Sequence, residues 1–408
     1  MATDVRIAVT GVGVVGPGAT GIDSFRERLR EGKSMLHPIE RFDTSEFRSH
    51  AACLVEDFQP KDFIPASKMR RMNQLSRFAV ASTRLALDDA GLEGEIPNRE
   101  RGGVALGTMF GPVETSVKYL DEYLDKGPAL APPQLFAESV ANAPGSHVAI
   151  SHGMKGFNLT FTQRESSAAT ALAFAAMEVA KGAAPVALAG GVDEINEITY
   201  GIYDRLGALS RVRDDSGEAL RPFDRARNGL VLGEGGAIML LMRDPGDLPV
   251  YGWIAGFAQG RDQTAGLSDW GNDPESVVRV MCRAIEDASI RPEEIDAVFA
   301  SANGNRKCDA LEAAALKKMF GAQCPPVVAT KGVFGEYAAA GGLQLASALL
   351  SVKEGELYSS AGFEGADPGV DLPITTRFEK RELNRVMVNS LSAGGGIISL
   401  VIARSGSE

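Results

Sequence analysis

Residues 159–191, LTFTQRESSAATALAFAAMEVAKGAAPVALAGG, decide the fold of this chain. Apolar and β-branched residues alternate with small polar ones before Glu165 and predict a buried strand. The Ala-rich run after Glu165 predicts a helix that ends at Gly182. Glu165 therefore lies where a strand turns sharply into a helix. Backbone N–H groups converge at the start of such a helix, which favours an activated nucleophile or an anion. A nucleophile there would be Ser or Cys, whereas this chain carries a carboxylate.

A second segment of the chain repeats this order of elements. Residues 326–355, PVVATKGVFGEYAAAGGLQLASALLSVKEG, again predict a strand, a turn of small residues and an Ala-rich helix. Duplication of a strand–helix unit predicts two similar α/β halves packed against each other. Two further pairs of segments match in the same way: 230–242 with 389–402, and 6–16 with 251–260.

The boundary between the halves is predicted from composition. Residues 242–252, MRDPGDLPVYG, have the Pro, Gly and Asp content of a connecting segment. We therefore predict domains at residues 1–245 and 246–408.

Composition limits the class of protein and its partners. With 408 residues, 44% of them hydrophobic, and 46 glycines, the chain fits a compact α/β protein with many tight turns. Apolar runs fall short of the roughly 20 residues that span a bilayer, and the first residues resemble a strand rather than a secretion signal. Four cysteines without CxxC spacing predict a reduced, cytoplasmic protein. The net charge of −11 argues against nucleic acid and anionic membranes as partners.

The glycine-rich segment GVGVVGPG at 11–18 invites a dinucleotide-binding interpretation. The full G-x-G-x-x-G pattern with an acidic residue on the next strand is missing, so we expect no bound nucleotide. We also expect no metal.

Five segments carry a family resemblance. RPFDRARNGLVLGEGG at 221–236 is the most specific, with ten or more positions agreeing in order. The chain resembles the β-ketoacyl synthases, the condensing enzymes of the thiolase fold. The resemblance covers nearly the whole chain and implies two duplicated α/β halves that form a layered αβαβα core. The other matching segments are IAVTGVGVVGPGATGIDSFRERLREGKS (7–34), MRRMNQLSRFAVASTRLALDDAGL (69–92), AGGVDE (189–194) and EIDAVFASANG (294–304).

The resemblance also implies a catalytic site whose reactive groups are replaced in this chain. Family members place a cysteine at the strand–helix elbow to hold the acyl chain as a thioester, and that position is Glu165. Two family histidines donate hydrogen bonds to the thioester oxygen as decarboxylation forms an enolate, and their positions are Asn303 and Glu336. No histidine follows residue 152, so the loss is visible without an alignment. Lys331, Asp309 and Glu312 are kept, while the loop whose aromatic residue gates the acyl pocket reads SAGGG at 392–396.

The chain keeps the residues of the family scaffold but has replaced those of the catalytic site. In this it resembles the chain length factor, or ketosynthase β subunit, of type II polyketide synthases. The resemblance implies a non-catalytic subunit that pairs with a cysteine-bearing ketosynthase and shapes the cavity in which a polyketide or polyene chain grows. The substrate would be carried on the phosphopantetheine of an acyl carrier protein, with no cofactor of the subunit's own. Members of that branch have Gln where this chain has Glu165.

Two other functions stay open at this point. One is a decarboxylase of carrier-bound malonyl units, and the other is a homodimeric acyl-binding scaffold. Adjacent genes for an active ketosynthase and a carrier protein would favour the chain-length-factor function over both.

Glu165 has two interpretations. It could be an acid or base, since a second carboxylate in the same pocket would raise one of the two pKa values. Alternatively, helix-terminal N–H groups hold it as an anion while Lys331 or Arg164 neutralises Glu336, and this second interpretation is favoured. Cys308 lies near Asn303 without a histidine and is expected to be structural rather than a displaced nucleophile.

Phe110, Val113 and Val117 recur at the spacing of one helix face. The composition alone predicts an ordinary core face. The family resemblance instead places this region at the dimer interface and the end of the substrate tunnel, where these side chains would set tunnel depth.

Overall fold

The computed structural model describes residues 6–93, 95–212, 217–337 and 339–404. The N-terminal half contains the strands β1 (Ile7–Gly16), β2 (Ala19–Thr20), β3 (His37–Pro38), β4 (Ala51–Ala52), β5 (Gly103–Gly107), β6 (Asn158–Phe161), β7 (Val186–Asp193) and β8 (Gly235–Met242). Its helices are α1 (Ile22–Glu31), α2 (Ala66–Met69), α3 (Gln74–Asp89), α4 (Val113–Lys126), α5 (Pro133–Ser139), α6 (Ala143–His152), α7 (Ser167–Ala180) and α8 (Glu197–Arg205).

The C-terminal half follows after a connection between β8 and the next strand. Its strands are β9 (Gly252–Arg261), β10 (Ala297–Phe299), β11 (Val327–Val328), β12 (Glu356–Leu357), β13 (Glu379–Lys380), β14 (Arg385–Leu391) and β15 (Gly396–Ala403). Its helices are α9 (Pro274–Asp287), α10 (Arg306–Phe320), α11 (Lys331–Phe334) and α12 (Ala340–Glu354).

The two halves have the same strand pairing, as the repeated sequence predicts. The order is β6–β5–β7–β8–β1 in the first half and β11–β10–β14–β15–β9 in the second. In each half the first two neighbouring pairs are parallel and the last two are antiparallel. Antiparallel pairing of β1 with β9, where Ile7 lies opposite Ile254, joins the halves into one continuous sheet. The division into domains at residue 245 stays a prediction.

Two buried helices lie between the halves. α7 and α12 pack on each other and on strands of both halves, while α3 and α6 cover the outer face of the first half and α9 covers that of the second. The small side chains of α7 let it approach both layers closely, and most of its residues are buried. This arrangement is the αβαβα layering that the resemblance implies. Because helices cover both faces of β1, every residue of that strand is buried.

No helix within the described residues is long and apolar enough to cross a membrane.

Candidate functional site

The site is built on the sharp turn between β6 and α7. A single 3₁₀ turn, Arg164–Ser166, connects the two elements and leads directly into the helix. Arg164 has φ of +51°, a left-handed conformation that side-chain-bearing residues seldom adopt. This reversal aims the next side chain, that of Glu165, into the interior, where the residue is only 1% exposed. The predicted strand-to-helix turn at Glu165 is therefore present.

Two donors hold the Glu165 carboxyl group. The Tyr203 hydroxyl donates to Oε1 over 3.3 Å, and the Ala393 backbone N–H donates to Oε2 over 3.1 Å. Burial first, and then the nearby Glu336 carboxylate, raise the pKa of Glu165 to about 7 against the lowering effect of backbone donors, among them the Ala393 N–H. Glu165 is thus an acid that exchanges its proton near neutral pH.

Glu336 lies behind Glu165 in a buried ion pair. Lys331 Nζ is 2.7 Å from Glu336 Oε2, and the Asn303 side-chain amide donates to the same oxygen over 2.8 Å. Burial lowers the pKa of Lys331, but the attraction of Glu336 outweighs it and the pKa is raised overall. Lys331 is therefore the cation beside Glu336, as the favoured sequence interpretation proposed. Arg164 does not take part in this pair. The other part of that interpretation, an anionic Glu165 held by helix-terminal N–H groups, is wrong, since the donors come from Tyr203 and Ala393 and the pKa of Glu165 is raised.

Of the four site residues predicted from the sequence, three are in direct contact in the structure. Asn303, Glu336 and Lys331 share one hydrogen-bonded cluster, and Glu165 acts on it through charge. Asn303 is fully engaged, because its Oδ1 accepts the backbone N–H of Asn305 over 2.9 Å. Glu336 Oε1 is buried without a hydrogen-bond partner among the described residues. The donors that would stabilise an enolate are therefore absent or already occupied.

Asp309 and Glu312 on α10 position the segment that carries Asn303. Asp309 accepts the backbone N–H groups of Asn303 over 3.0 Å and of Phe223 over 2.7 Å, while Glu312 accepts that of Ser301 over 3.0 Å. Burial raises the pKa of Asp309 to about 6 and that of Glu312 to about 7. These two carboxyl groups therefore hold the backbone of the site in place by accepting its N–H groups.

Cys308 is fully buried on the same helix, and burial raises the pKa of its thiol well above the ordinary value. A thiol that stays protonated is a poor nucleophile. The geometry agrees with a structural role.

The loop at 392–396 closes over the elbow. Ser166 Oγ donates to Ser392 Oγ over 3.0 Å, next to the contact between Ala393 and Glu165. A Cβ on Gly396 would lie 3.3 Å from Ser166 Oγ of the elbow, so glycine at this position lets the loop and the elbow approach closely. The loop and Glu165 hold each other in place.

A cleft of about 540 Å³ opens beside Glu165. Phe110, which is 43% exposed, packs edge-on against the Tyr203 ring with a centroid distance of 6.2 Å. Residues that line the cleft include Phe110, Arg164, Glu165, Tyr203, Trp270 and Lys307. The cleft therefore opens to solvent next to the turn that carries Glu165.

The prediction that Phe110, Val113 and Val117 lie on one helix face is wrong for Phe110. α4 begins at Val113, after Pro112, and Phe110 lies in the turn before it. Val113 and Val117 are half-buried on α4, which buries none of its residues fully, so these side chains are not core. Their place in a substrate tunnel stays a prediction.

Sequence reasoning missed Tyr203, the hydroxyl that contacts Glu165. The two residues are 38 positions apart and lie on different elements, α8 and the elbow. No spacing within either segment signals the contact, because it exists only once α8 is folded against the turn.

Two family models match the chain along most of its length. The model described as "Beta-ketoacyl synthase, N-terminal domain" matches residues 4–245, and the one for the C-terminal domain matches residues 251–364. The chain belongs to the β-ketoacyl synthase family. Its layered core is accordingly the thiolase-like fold of ketosynthases.

Relatives within this family are of two kinds. The chain is 30% identical to 3-oxoacyl-[acyl-carrier-protein] synthase 2 of Coxiella burnetii, with 98% of each chain covered. It is also 30% identical to the tetracenomycin polyketide synthase ketoacyl synthase beta subunit of Streptomyces glaucescens, with 100% of each covered.

Solved ketosynthase structures superpose closely. The ishigamide ketosynthase/chain length factor matches with a TM-score of 0.90 at 26% identity, covering 99% of this chain and 100% of that one. A β-ketoacyl synthase from Burkholderia phymatum matches with a TM-score of 0.89 at 25% identity, covering 98% and 99%.

Proposed function

We propose that this ketosynthase-family chain is a catalytically inactive subunit of the chain length factor type. It pairs with a cysteine-bearing ketosynthase and shapes the cavity in which a polyketide or polyene chain grows. The growing chain is carried on the phosphopantetheine of an acyl carrier protein, so the subunit needs no cofactor of its own. The similarity to the tetracenomycin β subunit supports this branch of the family.

The observation that carries the proposal is the buried carboxyl group of Glu165 at the strand–helix turn. A condensing enzyme needs a thiolate at the elbow and free donors at the thioester oxygen. This chain has a buried carboxyl group at the first position, and at the others a cluster in which Asn303 and Lys331 both bind Glu336. Glu336 would also oppose the negative charge of an enolate. Condensation therefore has neither a nucleophile nor an electrophilic site in this chain.

An exposed apolar face supports a protein partner. α4, α5, α6 and β6 lie next to one another, and in the described chain β6 pairs on one edge alone, with β5. Leu124 and Ile150 on this face are each 76% exposed. Large apolar side chains exposed on neighbouring elements favour an interaction surface there. Its large exposed residues are Leu120, Leu124, Leu130, Phe136, Ile150 and Leu159.

The proposal is tested first on the isolated chain. Incubation with acyl- and malonyl-carrier protein, followed by intact mass measurement, should leave the mass unchanged, because Glu165 and the buried Cys308 cannot form a thioester. A cysteine-bearing family member treated in parallel is the control. A stoichiometric adduct on Cys308 would show that the inactive-subunit assignment is wrong.

The second test is reconstitution with a cysteine-bearing ketosynthase of a type II polyketide synthase. The two proteins should co-purify as a heterodimer, and only the pair should elongate a carrier-bound chain. A chain that forms a stable homodimer and is dispensable for elongation would instead favour the scaffold function.

A second candidate, decarboxylation of carrier-bound malonyl units, is favoured by Glu165, whose raised pKa lets a residue of the cleft lining carry a proton close to neutral pH. The bond between carboxyl carbon and α-carbon would break, CO₂ would leave, and the α-carbon would take the Glu165 proton, which solvent then replaces. Conversion of malonyl- to acetyl-carrier protein measures this activity. Glu165→Gln should abolish it, whereas Glu46→Gln, a change at an exposed carboxylate, should not. Absence of any wild-type activity rejects this candidate.

A further inference from the structure

A second cleft, which we call the α3–α6 cleft, is formed by residues of α3 and α6, of α2 and the turn before it, and of the segment that leads to β5. Its volume is about 370 Å³, and none of its lining residues belongs to the cleft beside Glu165. α3 and α6 pack against each other on the outer face of the N-terminal half. The function proposed above does not use this cleft.

Three cations line the α3–α6 cleft, and two of them have donors available to a ligand. Arg84 Nε is 2.9 Å from the Asp88 carboxylate, so this arginine is paired. The side chains of Lys68 and Arg99 are exposed and have no hydrogen-bond or ion-pair partner within residues 6–93, 95–212, 217–337 and 339–404. A Cβ on Gly153 would lie 3.4 Å from Arg99 Cδ, which places the Arg99 side chain beside the end of α6. Available donors from two separate segments therefore line one cleft.

His152, the last residue of α6, shows how positive these surroundings are. Its Nε2 is buried without a hydrogen-bond partner among the described residues, and a buried polar atom of this kind points to a bound water or ion. Burial, and next the positive charges of Arg84 and Lys68, lower the pKa of His152 to about 4 against the effect of Asp88. The C-terminus of a helix by itself favours a protonated side chain, so burial and the neighbouring cations together outweigh it. An anion beside Lys68 would remove part of this repulsion.

The charge and shape of the α3–α6 cleft favour an organic phosphate. Lys68 and Arg99 together match the charge of a phosphate monoester, which is close to −2 at neutral pH. A cleft of about 370 Å³ has room for a small organic group besides the phosphate, and its lining includes the apolar side chains of Phe63, Ile64 and Val80.

Glu93 and Glu95 also line the cleft. Both are exposed, so solvent and salt weaken their repulsion of an anion, and their carboxylates can accept hydroxyl groups of the ligand.

We propose that the α3–α6 cleft binds a small organic phosphate monoester, with Lys68 and Arg99 as the donors to its phosphate group. The apolar lining holds the organic group, and the bound phosphate offsets the positive charge around His152. The ligand is bound and not converted. This site is independent of the inactive-subunit function, because the two share no residue, and its test can fail while that function stands.

The test titrates the full chain with three probes in a calorimeter: phenyl phosphate, inorganic phosphate and benzoate. Phenyl phosphate should bind at least about tenfold more tightly than benzoate, which has a similar ring but a single charge, in line with the strength of charged hydrogen bonds. It should also bind more tightly than inorganic phosphate, because its ring covers the apolar lining. Benzoate affinity equal to that of phenyl phosphate, inorganic phosphate affinity equal to it, or no saturable binding of phenyl phosphate overturns the proposal.

Matched variants locate the binding energy. Lys68→Ala and Arg99→Ala should each weaken phenyl phosphate binding by roughly tenfold, and both should fold, because the two side chains are exposed. Lys61→Ala removes an exposed lysine outside the lining and should bind like wild type. Arg101→Ala does the same for an arginine on the turn that carries Arg99, whose guanidinium donates to the Gly182 carbonyl over 3.4 Å. Losses with these controls as large as those with Lys68→Ala and Arg99→Ala mean a general charge effect and overturn the proposal.

His152 reports binding directly. Phosphate in the cleft should raise the pKa of His152, since it offsets the charge of the cations that now lower it. The histidine Cε1–H signals in NMR spectra measure this, and His152→Gln identifies the signal by its loss. A His152 signal that does not respond to saturating phenyl phosphate places the ligand elsewhere and overturns the proposal. The charged groups around His152 are Lys68 of α2, Arg84 and Asp88 of α3, and Glu93, Glu95 and Arg99 of the segment before β5.

Discussion

Glu165→Gln is expected to stabilise the folded chain more at pH 8 than at pH 5. Gln imitates the protonated carboxyl group, since its oxygen can accept from Ala393 and its NH₂ can donate to the Tyr203 hydroxyl. In wild type the pKa of Glu165 is raised by burial, and next by Glu336, from 4.5 to about 7. Folding therefore favours the protonated form, and the stability due to Glu165 is complete below pH 4.5 and is lost as pH rises through 7.

The magnitude follows from linkage. A shift between these two pKa values lowers the free energy of unfolding by about 3 kcal/mol at pH 8 and by about 1 kcal/mol at pH 5. Glu165→Gln removes this loss, so its stabilisation relative to wild type should be about 2–3 kcal/mol greater at pH 8 than at pH 5.

Urea unfolding at both pH values, with equal m-values required, measures the difference. Glu46→Gln, at an exposed carboxylate, controls for the removal of one negative charge and should change little with pH. If wild type and Glu165→Gln lose stability in parallel as pH rises, Glu165 is ionised throughout and the argument from burial is wrong.

The other predictions concern the cluster and the tunnel. Lys331→Met should destabilise the fold by about 3–5 kcal/mol, since it leaves the buried Glu336 without its cation; a denaturation midpoint close to that of wild type would contradict the ion pair. Glu165→Cys should give no ketoacyl product above background with malonyl- and acyl-carrier protein, because losing even one oxyanion donor costs about 10²–10³ in rate. Adding Asn303→His and Glu336→His should be the minimum for activity, and robust condensation by Glu165→Cys alone would show that the existing cluster is a working site. Phe110→Ala in the reconstituted pair should lengthen the product, as measured by mass spectrometry, whereas an unchanged product from an intact complex would place Phe110 outside the tunnel.

The strand–turn–helix at Glu165 and its repeat at 326–355 were predictable because they are local. The alternation of apolar and polar residues in the strand, the Ala-rich composition of the helix and the glycine at its end all occur within about thirty residues. The pairing of Lys331 with Glu336 was also within reach, since the two lie five positions apart on one short helix and its C-terminal turn.

The start of α4 was predicted wrongly because spacing alone does not reveal where a helix begins. Phe110 has the right interval from Val113 and Val117, yet Gly111 adopts φ of +72° and Pro112 precedes the first helical residue. That turn re-aims Phe110 toward Tyr203 and the cleft.

The sequence by itself determined the duplicated fold and the excess of negative charge, because each depends on residue type and local order. Only the tertiary structure decided the state of the site. Glu165 meets Tyr203 from α8 and Ala393 from the loop before β15, contacts that span 38 and 228 positions. Burial by these distant segments raises the pKa of Glu165, and desolvation is a property of the folded surroundings rather than of the residue.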